Sequence, residues 1–268
     1  MKKHLLILLA VLATLTACSD YQKLLKSNDS EAKFAAVKNY YQQKNYSKAA
    51  TLLSDLINVY YNSKKAEEVL YLMASTQMKL EDYSMASDYF NTYVRNYPRG
   101  EYAEESYFNI GYCLYLKSPE TELDQTSTEE AIAAFTEFVE MFPESERSTE
   151  AYRYILELND KLAYKGLRNA RLYYNLGLYL GNNYRAAIVT AENTLKDFPE
   201  TTYREQLLFV MLQAKYKEAT LSVEEKKFDR YSEVIDEYYK YIVEFPNSKN
   251  AREATRILKE AKAYTKTK

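Results

Sequence analysis

The side chains best suited to chemistry in this chain are few: one histidine, His4, and two cysteines, Cys18 and Cys113. An imidazole is the commonest general base and metal ligand near neutral pH, yet His4 falls inside residues 1–17, which read as a targeting segment. One remaining thiol without an imidazole leaves no Cys/His zinc spacing. The glycines at 100, 111, 166, 177 and 181 are too scattered to build a phosphate-cradling loop. Gly177 and Gly181 do read GxxxG, but close helix packing and a helix end explain them better than a membrane helix. Acidic neighbours such as Glu104-Glu105, Glu129-Glu130 and Glu224-Glu225 read as solvated helix faces. The expectation is a protein that is not an enzyme, with no metal, no cofactor and no small-molecule substrate. A formal charge of −2 gives no reason to expect nucleic acid as a partner.

Cys18 is different. Lys2 and Lys3 make a basic start, residues 5–15 an apolar run too short to span a membrane, and Leu15-Thr16-Ala17-Cys18 closes it. That tetrapeptide resembles a bacterial lipobox, in which the signal is cut before the cysteine and the thiol is lipidated. Several acyl chains on one cysteine anchor firmly, where a single chain binds only marginally. Position +2 is Ser19 rather than Asp, which points to the outer membrane. Loss of Lys2 and Lys3 takes the formal charge from −2 to −4. Cys113, among Tyr112, Leu114 and Tyr115, reads as a buried structural thiol, and no intramolecular disulfide can form.

The distinctive residue is tyrosine, 29 Tyr against no Trp. Phe34, Lys38 and Tyr41 line up with Tyr71, Ser75 and Met78, and then with Phe108, Tyr112 and Tyr115. These positions recur on the first helix of successive repeats, where the concave face of a superhelix should lie. An exposed aromatic row suits peptide binding, because tyrosine offers apolar area at small entropic cost together with a polar tip. A lining that merely packs is the competing reading.

The elements that would position this row follow from one template. Tyr83, Ala86, Phe90 and Tyr93 form an apolar helical stripe that ends at Tyr97-Pro98. The same spacing returns in Tyr46, Ala49, Leu53 and Tyr61, with Tyr where Pro would be. It returns again in Thr128, Ala131, Phe135 and Pro143, in Tyr184, Ala187, Ala191 and Pro199, and in Tyr231, Val234, Tyr238 and Pro246. An aromatic residue precedes the stop each time: Tyr60, Tyr97, Phe142, Phe198, Phe245. This is the helix–turn–helix pattern of tetratricopeptide repeats. The fold expected is all-α: a right-handed α-solenoid of about five such helix pairs plus a C-terminal helix.

Five Gly and five Pro in 268 residues argue for long helices in one continuous solenoid. The division expected is a signal peptide at 1–17, a lipidated tether at 18–29 and a solenoid at 30–268, with N-terminal repeats 30–143 and C-terminal repeats 144–268. Helix pairs are predicted at 30–43 and 46–60, at 64–80 and 82–97, and from 102 to 143 around a polar loop at 118–127. An extra helix at 148–164 precedes a fourth pair at 166–180 and 184–198. A fifth pair over 202–245 and a final helix at 248–264 complete the chain. Ser145, Thr201 and Ser248 each stand two residues after a stop proline, where a hydroxyl can cap the next helix.

The lipobox, five repeats and extra helix together resemble the BamD family of outer-membrane protein assembly factors. The most specific stretches are Phe142 to Ala163, FPESERSTEAYRYILELNDKLA, and Tyr173 to Pro199, YYNLGLYLGNNYRAAIVTAENTLKDFP. Asp124-Gln125-Thr126 is also similar. The likeness is weaker in the first repeat, which lacks its Pro, and in the C-terminal helix. It implies an outer-membrane lipoprotein subunit of the β-barrel assembly complex, lipid-anchored and facing the periplasm. Its N-terminal repeats would receive unfolded barrel precursors, and its C-terminal repeats would dock on the POTRA region of BamA. The alternative is a tetratricopeptide lipoprotein scaffolding cell-wall or other periplasmic complexes. A sugar-capture lipoprotein, the third class, normally carries large insertions and Trp-rich sites, and this chain has neither.

Overall fold

Helices form along this chain because apolar residues recur at three- and four-residue spacing and helix breakers are rare. The computed structural model describes residues 20–266, and every regular element among them is an α-helix. The targeting segment and Cys18 lie outside the described residues. A helix over residues 20–26 is α1. Next come α2 (Ser30–Gln42) with α3 (Tyr46–Tyr60), α4 (Ala66–Lys79) with α5 (Tyr83–Asn96), and α6 (Ala103–Lys117) with α7 (Thr126–Met141). Then follow α8 (Ser148–Leu176), α9 (Asn183–Asp197), α10 (Arg204–Thr220) with α11 (Glu224–Glu244), and α12 (Ala251–Lys266). Contacts divide the chain into two units, one through Ser118 plus Thr126–Tyr152, the other Pro119–Gln125 plus Arg153–Lys268. In each, helices pack chiefly on their neighbours in sequence, as in a helical solenoid.

The template positions are core. Ala49, Leu53, Ala86, Phe90, Ala131, Phe135, Ala187, Ala191 and Val234 are fully buried. Small residues let the facing helix come close, and the large one a turn later fills the space beside it. The aromatic–proline stop also behaves as the chemistry requires. Tyr97, Phe198 and Phe245 leave helical geometry, at φ −132°, −129° and −126°, and their N–H groups donate back to Tyr93, Thr194 and Tyr241. The following proline disfavours αR in the residue before it, and the helix stops there.

Three features differ from the sequence-based expectation. Residues 20–26 are not a free tether: Tyr21, Leu24 and Leu25 pack on the first core, and the Tyr21 ring meets Tyr40 edge-on at 5.7 Å. The extra helix and the first helix of the fourth pair are one helix, α8, of 29 residues. Gly166 does not break it. A Cβ there would lie 2.2 Å from Thr194 Oγ1 and 2.6 Å from Thr194 Cγ2, so glycine serves the close approach of α8 to α9. Gly166→Ala is therefore expected to lower stability by about 1–3 kcal/mol through overpacking. Adding Thr194→Ala should recover part of the loss in urea unfolding, and no recovery would show that the contact is not the cause.

The third difference concerns Ser145, Thr201 and Ser248, which cap no helix directly. Each hydroxyl accepts the N–H two residues on, from Arg147 (3.1 Å), Tyr203 (3.2 Å) and Asn250 (2.9 Å). Each also donates to a carboxylate on an earlier helix: Glu104 (2.6 Å), Asp160 (2.7 Å) and Glu205 (2.6 Å). Glu67 does the same in the second repeat, accepting from the Tyr93 hydroxyl and from the Glu101 N–H at 2.7 Å. Glu31 takes the Tyr60 hydroxyl at 2.8 Å and pairs with Lys65. An acid on the first helix thus holds the turn that follows the second, which fixes how one hairpin meets the next. Burial alone would raise the Asp160 pKa, but donation from Thr202 and Thr201 outweighs it and holds the carboxyl below its ordinary range.

Candidate functional site

The nine residues of the predicted aromatic row lie on α2, α4 and α6, all in the first unit, and they divide by depth. Phe34 and Phe108 are core: Phe34 packs on Tyr60 at 5.9 Å, and Phe108 on Phe135 and Phe138 at 5.6 and 5.4 Å. Ser75 is buried as well. Tyr41, Tyr71, Met78, Tyr112 and Tyr115 are half-buried, and Lys38 is exposed. The row is therefore neither wholly surface nor wholly packing. Its phenylalanines anchor the helices, and its tyrosines sit with rings supported from beneath.

Ring contacts support it within each repeat and, at Tyr71, reach into the next. Tyr71 stacks on Tyr102 with centroids 4.1 Å apart and planes 11° from parallel, and its edge meets Phe90 and Tyr93 at 6.2 Å. Tyr112 lies between Phe108 at 6.3 Å and Tyr115 at 6.2 Å, near parallel to both. Tyr41 meets Tyr46 at 5.4 Å. Burial pushes the Tyr71 phenol upward, reinforced by the neighbouring Glu105 carboxylate. Burial likewise raises Tyr41, with the Tyr46 phenol and the Glu105 carboxylate adding to the effect. Both phenols therefore stay neutral and remain hydrogen-bond donors across the physiological range.

Charged groups that sequence reasoning did not single out complete the strip. Lys38 pairs with Glu68 at 2.6 Å, and its ammonium stands 4.6 Å from the Phe34 ring centroid. Arg147 reaches Glu105 at 3.9 Å and lies 5.0 Å over the Phe108 ring. Glu104 and Glu105 are thus not idle solvated neighbours. Glu104 holds the turn at Ser145, and Glu105 faces Tyr41, Tyr71 and Arg147. The one available signal was their place in the first turn of α6, which repeats that of Glu67-Glu68 in α4. Cys113 is fully buried on the same helix, and burial pushes its thiol up to about 12, so it is protonated and unreactive.

In the second unit the notable surface is an edge. Gly177 (φ 58°) ends α8, and Leu180 (φ 54°) and Gly181 (φ 141°) turn the chain toward α9. Leu178, Tyr179 and Leu180 point outward, and Leu180 is 90% exposed. The side-chain amide of Asn182 donates to Glu218 at 3.0 Å, which ties this turn to the one after α10, where Leu221 and Val223 are also exposed. Among the described residues there is no helix long and apolar enough to cross a membrane, and no group of three His, Cys, Asp or Glu placed to hold a metal.

Stacked helix hairpins carrying an aromatic strip and an apolar edge define a repeat protein of the tetratricopeptide type. Comparison with known proteins narrows this. The model of the YfiO family, described as outer membrane lipoproteins, matches residues 26–231, and the chain belongs to that family. It is 25% identical over 175 residues to the outer membrane protein assembly factor BamD of Caulobacter vibrioides, covering 51% of this chain and 57% of that protein. It is 26% identical over 204 residues to a protein of Aquifex aeolicus provisionally given the same name, covering 75% and 65%. The chain thus spans 57% and 65% of the lengths of these curated relatives. A crystal structure of a TPR repeats protein from Bacteroides fragilis aligns over 89% of this chain and all of that one, at 15% identity and a TM-score of 0.44.

Proposed function

We propose that this protein is a lipoprotein subunit of the outer-membrane β-barrel assembly complex. In this reading it is anchored through lipidated Cys18, faces the periplasm, and has no catalytic role. The first unit holds unfolded barrel precursors on the α2/α4/α6 strip. The second docks on the POTRA region of BamA. What carries the reading beyond family membership is that two chemically different surfaces lie on different units: supported phenols with charges beside them on one, and an exposed aliphatic edge on the other. The first suits transient capture of an extended segment with aromatic side chains. The second suits a lasting contact, since a set of exposed aliphatic groups on a folded protein is costly unless covered. Leu180 in the left-handed region strengthens this, because a branched residue is held there at a cost in backbone energy.

The test separates the two surfaces. Leu178→Asp with Leu180→Asp changes exposed side chains only and should leave the circular dichroism spectrum intact. A charge placed in an apolar interface must be desolvated without a partner. The variant is therefore expected to lose BamA from pull-downs of detergent-solubilised outer membrane, while still binding an unfolded barrel peptide. Recovery of cell-wall synthases and no BamA by the wild-type protein would instead favour an envelope scaffold.

A further inference from the structure

The second unit also contains a cleft of about 420 Å³ between α8, α10 and the start of α12. Arg171 and Lys249 line it, and so do the amide residues Asn175, Gln206, Gln213 and Asn250. Lys249 and Asn250 also belong to an adjoining open cavity that continues along α12 past Arg252, Glu253 and Arg256. Four cations therefore face one carboxylate, on a chain whose formal charge is −2. The carboxylate, Glu253, is occupied by the Gln213 amide at 2.8 Å, and Arg256 is engaged by Glu260 at 2.7 Å. Arg171, Lys249 and Arg252 make no ion pair among the described residues. We propose that this cleft binds an extended peptide segment bearing carboxylates.

Four features select that ligand. Unpaired like charges gathered on an otherwise acidic protein repel one another, and an anionic ligand relieves this. Side-chain amides supply both donors and acceptors, which is what a peptide backbone requires. Gln206 lines the cleft, and its Oε1 is buried with no hydrogen-bond partner among the described residues; such an acceptor calls for an N–H donor. A peptide amide provides one, and an extended backbone repeats it along the cleft. The rings of Tyr174 and Phe209 line the same cleft and give one ligand side chain an apolar seat. The site lies on the second unit, away from the α2/α4/α6 strip in residue composition and in charge, and is independent of the precursor-binding role proposed for that strip.

The experiment uses the full-length protein in detergent and fluorescein-labelled Gly-Glu-Tyr-Glu-Phe-Glu, read by fluorescence anisotropy, beside the same peptide with Gln for Glu. Wild type should bind the Glu peptide and not the Gln peptide. Arg171→Gln with Lys249→Gln should raise Kd by roughly tenfold or more. Gln206→Leu, which leaves charge unchanged, should raise it by roughly threefold through the lost acceptor. Lys196→Gln with Lys259→Gln, an equal charge change at exposed sites outside the cleft, should stay within about twofold. Circular dichroism confirms that each variant is folded. The proposal is overturned if wild type does not bind the Glu peptide, if it binds the Gln peptide equally, or if both double variants weaken binding alike. Cleft-dependent binding to phosphatidylglycerol vesicles without peptide binding would overturn it in favour of a lipid site.

Discussion

Phe90→Ala is expected to destabilise the first unit by about 3–5 kcal/mol, the scale of emptying a fully buried aromatic site. Phe90 is fully buried on α5, and its ring meets Tyr71 of α4 at 6.2 Å. Removing it deletes apolar transfer energy and leaves a cavity that helices held by Ala86 and Tyr93 cannot easily close. Ala86→Leu probes the same crossing from the other side: with no exposed surface at Ala86, added methylenes have nowhere to go, and about 1–3 kcal/mol is expected. Urea unfolding followed by circular dichroism measures both, and hydrogen exchange locates the loss in α4 and α5. Unchanged midpoints for the two variants would mean that the small–large pair does not carry the packing.

That expectation could be written from sequence because Ala86, Phe90 and their counterparts repeat at one spacing, and local periodicity determines which helix face is buried. The stops were legible for the same reason, since Tyr97-Pro98, Phe198-Pro199 and Phe245-Pro246 act through their own backbone. The length of α8 was not legible. Gly166 costs only about 1 kcal/mol in a helix, and whether it ends one depends on what faces it, here Thr194. The carboxylate clamps were hidden too. Glu67 with Glu101, or Asp160 with Thr202, pair across whole hairpins, and nothing near Glu67 in the sequence distinguishes it from a solvated acid. The aromatic row was half legible: helical spacing placed Phe34, Tyr71 and Tyr112 on one face but could not set their depth. That depth came from neighbours such as Tyr102 and Phe138, which only the folded chain brings near.

Depth decides how the strip can be tested. Tyr71→Ala together with Tyr112→Ala is expected to weaken binding of a barrel's C-terminal strand peptide by about 1–3 kcal/mol, the scale of hot-spot truncations. Strands of outer-membrane barrels alternate apolar and polar residues and carry aromatic girdles, so the peptide presents apolar side chains at every second position, rings among them, to a row of supported rings. Tyr71 also packs on Tyr102 at 4.1 Å, and the alanine change therefore removes some stability along with binding area. Tyr71→Phe separates the two effects. It keeps the stack and loses only the hydroxyl, whose nearest charged influence is Glu105, so it should bind nearly as wild type if ring area captures the peptide. If the phenol–Glu105 pair does the capturing, Tyr71→Phe should fall as far as Tyr71→Ala. Fluorescence anisotropy with labelled peptide supplies the affinities, and circular dichroism at the assay temperature supplies the folded fraction. A folded double variant that binds as tightly as wild type would show that the α2/α4/α6 strip only packs, and that precursors are received elsewhere. Retained BamA co-purification beside lost peptide binding is the expected pattern, because in stacked hairpins an altered side chain is felt mainly by adjacent repeats.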